Sequence, residues 1–473
     1  MQQLISLFTA YAGKTNPTLE ALPSSGSNRR YYRLRQDEVS VIGVYGQSKE
    51  ETHAFIELSR HFHKKRLNTP RVLAVSGDEM FYLQEDLGDS VLFDALKAGR
   101  LTGVFSTEEK ELLHKTIALL ADFQVLGAND LDFSVCYPQA EFNHRSVHWD
   151  LNYFKYSFLK TTGMEFQEDL LENDFDKLSQ HLLQDESDTF LYRDFQSRNV
   201  MLVDGRPYFI DYQGGRKGPV HYDVASFLWQ AKANFPDDLR YELIKTYIAS
   251  LKKYREVDEA AFIKKLRLFV LFRTLQVLGA YGFRGYFEKK PHFIQSIPFA
   301  LNNLRELLRS GFDDYPYLTG ILNEMVGLKQ FADTQKRELE VRVFSFAYKK
   351  GIPNDVSGNG GGYVFDCRAI NNPGKYERFS HFTGLDEEVI KFLEEDGEME
   401  LFLDNIYPLV DSHVKRYMER NFTSLMVSFG CTGGQHRSVY AAQRMAEHIS
   451  KKFGIKVSLV HREQNLEQEF RKK

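Results

Sequence analysis

Cysteine is scarce in this chain of 473 residues, with three in all at Cys136, Cys367 and Cys431. An odd number without regular spacing argues against a disulfide framework and is typical of the reducing cytoplasm. There is also no Cys-x-x-Cys pair, so we expect no structural zinc site. We therefore expect a cytoplasmic protein whose fold depends on its hydrophobic core.

A long uninterrupted apolar run is also missing. The most apolar stretch, residues 266–283, contains Arg267, Arg273 and Gln276, whereas a membrane-spanning helix needs about 20 apolar residues. We interpret this stretch as a buried helix and expect no membrane partner. The first residues, MQQLISLFTAYAG, have neither a basic start nor a small-residue cleavage site, so no signal peptide is predicted.

Positive charge is not in excess, because the formal net charge is −4. Domains that bind nucleic acid are usually basic, so nucleic acid is not an expected partner. The hydrophobic share of 42% and the charged share of 27% are those of an ordinary globular protein.

The length exceeds that of one average core, so two or three domains are expected. A polar and charged segment, KQFADTQKRELE at residues 329–340, is the best candidate for a boundary. We predict a first domain over residues 1–330, a linker over 331–340 and a second domain over 341–473.

The most informative stretch of the first domain is FLYRDFQSRNVMLVDGRPYFIDYQGG, residues 190–215. Its apolar run, Asp-Gly turn and second strand predict a β-hairpin. That hairpin would bring Asp194, Asn199 and Asp211 to one end of the sheet. Phosphoryl transfer uses such a set, with one carboxylate for the attacking hydroxyl and an amide and a second carboxylate for Mg²⁺.

The rest of the first domain predicts an α+β lobe that is followed by a mostly helical lobe. A cleft between two such lobes is a natural ligand site. A turn of small residues, 23–28, leads into the first strands; its backbone N–H groups can approach a phosphate, and a plain hairpin turn fits it equally well. Helices are expected at 1–20, 49–65 and 107–126, and strands at 29–34, 39–45, 72–75 and 80–84.

The second domain contains a glycine-rich loop, GCTGGQHRS at residues 430–438. A predicted strand over 424–429 leads into it, and a helix and a last strand follow. This order places an anion site at the N-terminus of the helix. Considered alone, the spacing from Cys431 to Arg437 also fits a cysteine phosphatase, in which a thiolate attacks phosphorus.

Five stretches of the first domain occur together and in one order: SSGSNRRYYRL, QEDLGD, YRDFQSRNVML, YFIDYQGG and GPVHYDVASFLW. In these stretches the domain resembles the aminoglycoside phosphotransferase/choline kinase-like family. Within that family it resembles most the kinases of N-acetylmuramate and N-acetylglucosamine. The resemblance implies an α+β protein-kinase-like bilobal fold and an enzyme that uses ATP and Mg²⁺ to phosphorylate a sugar hydroxyl.

The resemblance also implies roles for single residues. Asp194 would be the catalytic carboxylate, Asn199 and Asp211 would bind Mg²⁺, and Asp223 would hold the catalytic loop. ATP would be bound by a phosphate-facing turn of Ser25, Gly26, Ser27 and Asn28 and by a hinge of Gln84, Glu85, Asp86 and Leu87.

Two departures from the family pattern are visible. Tyr192 stands where the family more often has a histidine, which is mostly structural. More importantly, the strand at 39–45 has no lysine to anchor the ATP phosphates. An arginine from residues 29–33 or Lys49 is a candidate replacement. The alternative is a pseudokinase, a non-catalytic adapter that binds nucleotide.

The second domain shares FSFAYKKGIP, FDCRAINNP, FTGLD and GCTGGQHRSV with the C-terminal domain of the RNase adapter protein RapZ, which it resembles. It lacks that family's own N-terminal P-loop domain. The resemblance implies a smaller α/β domain whose glycine-rich loop binds an amino-sugar phosphate such as glucosamine 6-phosphate, and it allows an RNase or another protein as a partner. The binding residues would be Thr432, Gly433, Gly434, His436, Arg437 and Ser438, with Asp366, Arg368 and His381 as weaker candidates.

The two resemblances together predict a cytoplasmic sugar kinase that is fused to a sugar-phosphate-binding domain. The alternatives are the nucleotide-binding adapter and, for the second domain, a Cys-x₅-Arg phosphatase.

Overall fold

In the computed structural model the chain forms two compact units, Met1–Ala332 and Asp333–Lys473. The residues that the structure describes are 1–22, 29–184, 187–328, 331, 339–355, 361–419 and 422–470. Each unit has a large hydrophobic core of its own.

The first unit begins with an antiparallel sheet of five strands in the order β1-β2-β3-β5-β4. The strands are β1 (Thr18–Ala21), β2 (Arg30–Gln36), β3 (Val39–Tyr45), β4 (Val72–Val75) and β5 (Phe81–Glu85).

Two helices flank this sheet in the sequence, Gln2–Ala12 before it and Lys49–Lys64 between β3 and β4. The predicted helix at 1–20 is too long, because Gly13 adopts a φ of 66° and its N–H donates to the carbonyl of Thr9. That left-handed residue ends the helix, and the chain continues into β1, an edge strand.

The remainder of the first unit is mainly helical, as expected. Its longer helices are Thr107–Ala128, His144–Phe154, Glu168–Leu183, His221–Leu228, Asp237–Leu251, Glu259–Gly282, Ile297–Leu308 and Pro316–Gly327, and its short ones are Leu92–Ala95, Lys97–Thr102 and Pro291–Ile294.

The most apolar helix is the buried one that the sequence predicts. By length and composition Glu259–Phe287 would suffice to cross a membrane, but 61% of its most apolar window is buried within the unit. Arg273 lies 7% exposed inside the core, where its guanidinium donates to Tyr222 Oη at 2.9 Å and to Ser226 Oγ at 2.8 Å. These bonds satisfy a charge that an apolar environment would otherwise disfavour.

Two short antiparallel pairs lie within the helical part. One joins β6 (Thr189–Leu191) to β9 (Arg216–Gly218), and the other is the predicted hairpin of β7 (Val200–Val203) and β8 (Arg206–Phe209). The hairpin turn uses Asp204 and Gly205, both with positive φ, which is typical of two-residue hairpin turns.

The hairpin is fixed to the rest of the unit by backbone hydrogen bonds. Leu202 N–H donates to the carbonyl of Ser90, and Phe209 N–H donates to that of Asn68, each at 2.8 Å. The hairpin is thereby held next to the segment that follows β5 and next to the segment between the helix Lys49–Lys64 and β4.

The second unit contains a five-stranded sheet in the order β11-β12-β10-β13-β14. Four strands are parallel, and β14 runs antiparallel to β13. The strands are β10 (Glu340–Ala347), β11 (Tyr363–Asp366), β12 (Ser424–Cys431), β13 (Lys456–His461) and β14 (Leu466–Phe470), and the helices are Glu387–Glu395, Glu398–Glu419 and Arg437–Phe453. The sequence did not predict β14, which alternates charged and partly buried residues at the sheet edge.

Candidate active site and glycine loop

A buried carboxylate supports the loop that carries Asp194. Asp223 is fully buried and accepts the backbone N–H of Tyr192 at 2.8 Å and that of Arg193 at 2.9 Å. It also accepts Gln124 Nε2 at 2.8 Å. Burial raises the Asp223 pKa to about 7 against the opposing effect of these bonds. The contacts agree with the loop-holding role that was expected for Asp223.

The three residues predicted for chemistry lie together above this support. Asp194 is exposed, and its backbone carbonyl accepts Asn199 Nδ2 at 2.9 Å. The same amide nitrogen lies 3.4 Å from Asp211 Oδ2. Because the nitrogen makes both contacts, the amide oxygen of Asn199 remains available as a ligand.

Asp211 follows the hairpin and adopts a φ of 70°. Burial raises the pKa of its carboxyl, whereas the charge of Arg29 and a hydrogen bond from Gln213 lower it. The Gln213 bond is 2.9 Å long and reaches Oδ1. A carboxylate and an amide oxygen next to each other are ligands that Mg²⁺ prefers, so Asn199 and Asp211 fit this ion.

One of the candidate replacements for the lysine that β3 lacks is a buried arginine that forms an ion pair. Arg29 is 3% exposed and its Nη2 lies 2.6 Å from Glu51 Oε1. Glu51 lies in the first turn of the helix Lys49–Lys64. Neighbouring Tyr82, Tyr31, Glu51 and Asp211 raise the Arg29 pKa although burial opposes them. The other candidates differ, since Lys49 is exposed and Arg33 pairs with Asp86 and Asp89.

The predicted hinge lies at the end of β5. Asp86 accepts Arg33 Nη2 at 3.1 Å and Ser40 Oγ at 2.5 Å, which joins it to β2 and β3. Burial would raise the pKa of Asp86, but these bonds lower it. The Asp86 side chain therefore anchors the hinge. Gln84 pairs with Ile42 of β3 and Val72 of β4, and the Glu85 N–H donates to the carbonyl of Arg71 at 2.9 Å. Of the predicted hinge residues, the backbone of Leu87 is therefore the candidate contact for adenine. The predicted phosphate-facing turn, Ser25 to Asn28, lies outside the described residues.

In the second unit, the glycine loop connects β12 to the helix Arg437–Phe453. Thr432 and Gly433 are exposed. Gly434 is buried and has a φ of 68°. A Cβ added there would lie 2.8 Å from Ala347 N and would also clash with the Glu463 side chain, so only glycine fits.

The larger side chains of this loop contact the protein itself. His436 Nε2 lies 3.1 Å from the carbonyl oxygen of Phe379. Arg437 Nη1 donates to the carbonyls of Arg368 and Ile370 at 2.9 and 2.7 Å. His436 is 7% exposed and Arg437 4%. Neither side chain is on the open side of the loop with Thr432 and Gly433.

The cysteine of the loop is buried too. Cys431 is 3% exposed, and its Sγ accepts the N–H of Gly434 at 3.2 Å and lies 3.1 Å from Ser438 Oγ. Ser438 is fully buried. Of the six residues predicted to bind a sugar phosphate, the structure therefore leaves Thr432 and Gly433 exposed, and buries Gly434, His436, Arg437 and Ser438.

Comparison with known proteins identifies the first unit. The model of the phosphotransferase enzyme family matches residues 18–260, slightly more than half of the chain. The chain belongs to the phosphotransferase enzyme family. The expected bilobal kinase-like fold of the first unit is confirmed.

The model of the RapZ C-terminal domain matches residues 339–465 of this phosphotransferase. Among curated proteins, a nucleotide-binding protein of Xylella fastidiosa is 34% identical over 160 residues, which are 34% of this chain and 53% of that protein. A nucleotide-binding protein of Thermotoga neapolitana is 37% identical over 142 residues, 30% of this chain and 48% of that protein. The chain spans about half the length of these curated relatives.

Among solved structures, a choline kinase of Cryptosporidium parvum aligns with a TM-score of 0.47 and 12% identity, covering 68% of this chain and 99% of that one. The GDP complex of aminoglycoside 2'-phosphotransferase-IIIa aligns with a TM-score of 0.45 and 14% identity, covering 66% and 99%.

A small cleft lies next to the loop that carries Asp194, and the sequence did not single out its residues. Arg193 and Asp150 meet there, with Nη2 and Oδ1 4.0 Å apart, and the Trp149 ring is 55% exposed. Burial raises the Asp150 pKa, against three arginines that lower it. No motif marks these positions, because HWDLNYF looks like any amphipathic helix. The lining comprises Phe142, Ser146, Trp149, Asp150, Leu191, Arg193, Arg216 and Tyr222.

Proposed function

We propose that the chain is a Mg²⁺- and ATP-dependent sugar kinase. Its acceptor is an amino sugar of the N-acetylmuramate or N-acetylglucosamine type, and its second unit binds an amino-sugar phosphate. The observation that carries the kinase proposal is the exposed Asp194 carboxylate beside Asn199 and Asp211, which are 3.4 Å apart. Side chains of these types in this order are what phosphoryl transfer requires.

In this proposal Asp194 orients the acceptor hydroxyl and accepts its proton. Asn199 and Asp211 would hold Mg²⁺, which would supply positive charge against the negative charge that develops during transfer. Asp223 keeps the loop in position from below through its bonds to the backbone of Tyr192 and Arg193. The proton thus moves from the hydroxyl to a carboxylate that the protein already orients.

Arg29 is proposed to replace the lysine that β3 lacks. In protein kinases an ion pair between a strand lysine and a helix glutamate must be in place for ATP phosphates to be held. Here Arg29 and Glu51 form such a pair between a sheet and a helix, and the charge of Arg29 acts on Asp211. A guanidinium also suits phosphate because it offers two parallel donors.

The cleft beside Arg193 is the proposed acceptor site. Sugar rings stack on exposed aromatic faces, and Trp149 offers one. Asp150 and Arg193 provide an acceptor and donors for hydroxyl and amide groups. Arg193 lines the cleft and is adjacent to Asp194 in the same loop. An acceptor bound in the cleft would therefore present a hydroxyl near the Asp194 carboxylate.

The kinase proposal is tested by ADP release from purified protein with Mg-ATP and a panel of acceptors: N-acetylmuramate, N-acetylglucosamine, glucosamine, choline and an aminoglycoside. We expect turnover with one amino sugar, and a loss of roughly 10³-fold in Asp194→Ala with ATP affinity unchanged. ATP binding without turnover for any acceptor would instead support a nucleotide-binding adapter.

For the second unit, the proposed anion site is the open side of the glycine loop at the N-terminus of the helix Arg437–Phe453. Backbone N–H groups and the helix dipole attract phosphate at such a position. Titration of glucosamine 6-phosphate, glucosamine and ATP into the full chain tests this. We expect binding that requires the phosphate of the sugar, and ATP is included because the curated relatives are named nucleotide-binding proteins. Equal affinity for unphosphorylated glucosamine would contradict the proposal.

A further inference from the structure

Two histidines and an aspartate meet on a surface of the first unit that the kinase chemistry does not use. His144 and His148 are one turn apart on the helix His144–Phe154, so they share a face. Asp176 lies on the helix Glu168–Leu183. The nearest ligand atoms of the three side chains all lie within 4.8 Å of one another.

Two of the three distances between the ligand atoms are close to those that a tetrahedral zinc ion imposes. Asp176 Oδ1 lies 3.1 Å from His148 Nε2 and 3.7 Å from His144 Nε2. With zinc bonds of about 2.0–2.2 Å, ligand atoms at the corners of a tetrahedron are roughly 3.3–3.5 Å apart. These two distances differ from the tetrahedral value by a few tenths of an ångström, and the ligand nitrogens of His144 and His148 lie within 4.8 Å of each other.

The main competing interpretation is an ion pair between charged imidazolium and Asp176. Within the described residues, His148 Nε2 is a buried nitrogen that makes no hydrogen bond of good geometry, although Asp176 is close. The two imidazole rings are stacked at 4.1 Å between centroids, an arrangement that two positive charges would oppose. A ring nitrogen without such a hydrogen bond can serve as a metal ligand.

We propose that His144, His148 and Asp176 form a binding site for Zn²⁺. Two imidazoles on one helix face with a carboxylate from a second helix are a ligand set that suits zinc. Three protein ligands leave the fourth position to water. The scarcity of cysteine does not bear on this site, because none of its ligands is a thiolate.

The ion would join two helices that are otherwise held together by packing and ion pairs. One of them, His144–Phe154, also carries Trp149 and Asp150 of the proposed acceptor cleft. Zinc bound at His148 would thus fix the helix turn next to these two residues. Binding of an ion to the folded state alone raises the stability of the whole unit.

The test is titration of Zn²⁺ into metal-free full-length protein, followed by calorimetry and thermal unfolding, in buffer with millimolar Mg²⁺. We expect one Zn²⁺ per chain, a rise in Tm, and affinity at least 10-fold weaker in His144→Ala, His148→Ala and Asp176→Asn. His63→Ala, which removes another exposed histidine, is the control and should bind as the wild type does.

The three ligand positions are on the surface or partly exposed, so these variants are expected to fold, and circular dichroism without metal checks this. Unchanged zinc affinity in His148→Ala, or no Tm shift in the wild type, would overturn the proposal. A zinc affinity that rises when Mg²⁺ is omitted from the buffer would also overturn it, since that would place the ion at the oxygen ligands Asn199 and Asp211.

Discussion

The catalytic loop and the glycine loop are both candidate phosphate sites, yet they present their residues in opposite ways. At the catalytic loop, Asp194 is exposed and Asn199 and Asp211 lie side by side. At the glycine loop, His436 and Arg437 are buried against backbone carbonyls. The first site offers side chains for chemistry, whereas the second offers backbone N–H groups. We infer that the first is suited to transfer and the second to binding.

The largest effect is expected for Asp211→Asn. The change keeps the size of the side chain but removes the charge that would face Mg²⁺, so kcat should fall by roughly 10³-fold. Glucosamine 6-phosphate binding at the second unit should not change. Asp204→Asn in the turn of the same hairpin is the control, because Asp204 is exposed and asparagine tolerates its positive φ. Full activity of Asp211→Asn would contradict the inference that the first loop is suited to phosphoryl transfer and the second only to binding.

The pH dependence of stability should have opposite signs in the two units. Burial raises the pKa of Asp223 in the first unit to about 7, so the folded state binds a proton more tightly than the unfolded state. The resulting contribution to the free energy of unfolding is present at low pH and is lost as pH rises from about 4 to 7. Burial lowers the pKa of His461 in the second unit to about 4, so the folded state favours the neutral imidazole. The resulting contribution to the free energy of unfolding is present above pH 6.5 and is lost as pH falls towards 4.

Urea unfolding of the wild type, Asp223→Asn and His461→Gln between pH 4 and 8 separates these contributions. The difference in unfolding free energy between wild type and each variant should change by on the order of 2–4 kcal/mol across the respective window. Differences of the same sign in both variants would show that other groups control the pH response.

Replacing Arg29 should have the next largest effect. Arg29→Ala removes the proposed phosphate contact and leaves Glu51 without its partner, so kcat/KM for ATP should fall about 100-fold. Arg29→Lys, which keeps the charge, should recover most of that loss. Arg30→Ala is the matched control, since Arg30 is adjacent and exposed. An unchanged kcat/KM for ATP in Arg29→Ala would contradict the proposal that Arg29 replaces the lysine that β3 lacks.

The sequence predicted the hairpin and the joining of Asp194, Asn199 and Asp211 because these residues are close in the chain and follow a turn signal. It did not identify Arg29 among several candidates, because its partner Glu51 is contributed by a different element. Trp149 and Asp150 were missed for the same reason. Contacts between elements that are distant in the sequence leave no local periodicity.

The glycine loop illustrates a different limit. The motif correctly placed a loop between a strand and a helix, but it cannot show which way a side chain points. Arg437 would be expected to face an anion, whereas in the structure it donates to the carbonyls of Arg368 and Ile370. Arg368 and Ile370 follow β11 and are distant from Arg437 in the sequence, so these hydrogen bonds depend on the fold.

A pair of glycine substitutions tests whether the second loop works through its backbone. Gly434→Ala forces a Cβ against Ala347 N at a positive φ, so we expect a loss of roughly 2–3 kcal/mol in stability and weaker sugar-phosphate binding. Gly433→Ala meets no atom within 4 Å and should change stability by less than about 1 kcal/mol. Kinase turnover should persist in both. Equal effects of the two changes would argue against a backbone cradle.

The smallest effect is expected for Cys431→Ser, and it bears on the phosphatase alternative. A cysteine phosphatase needs an accessible thiolate and an arginine free to hold phosphate oxygens, whereas Cys431 is 3% exposed and Arg437 donates to two carbonyls. Serine keeps the acceptor for the Gly434 N–H. We therefore expect sugar-phosphate affinity within about threefold of the wild type, a difference below about 1 kcal/mol, and no hydrolysis of a phosphomonoester by either protein. Hydrolysis that the serine variant loses would make the second loop a site of chemistry, like the first.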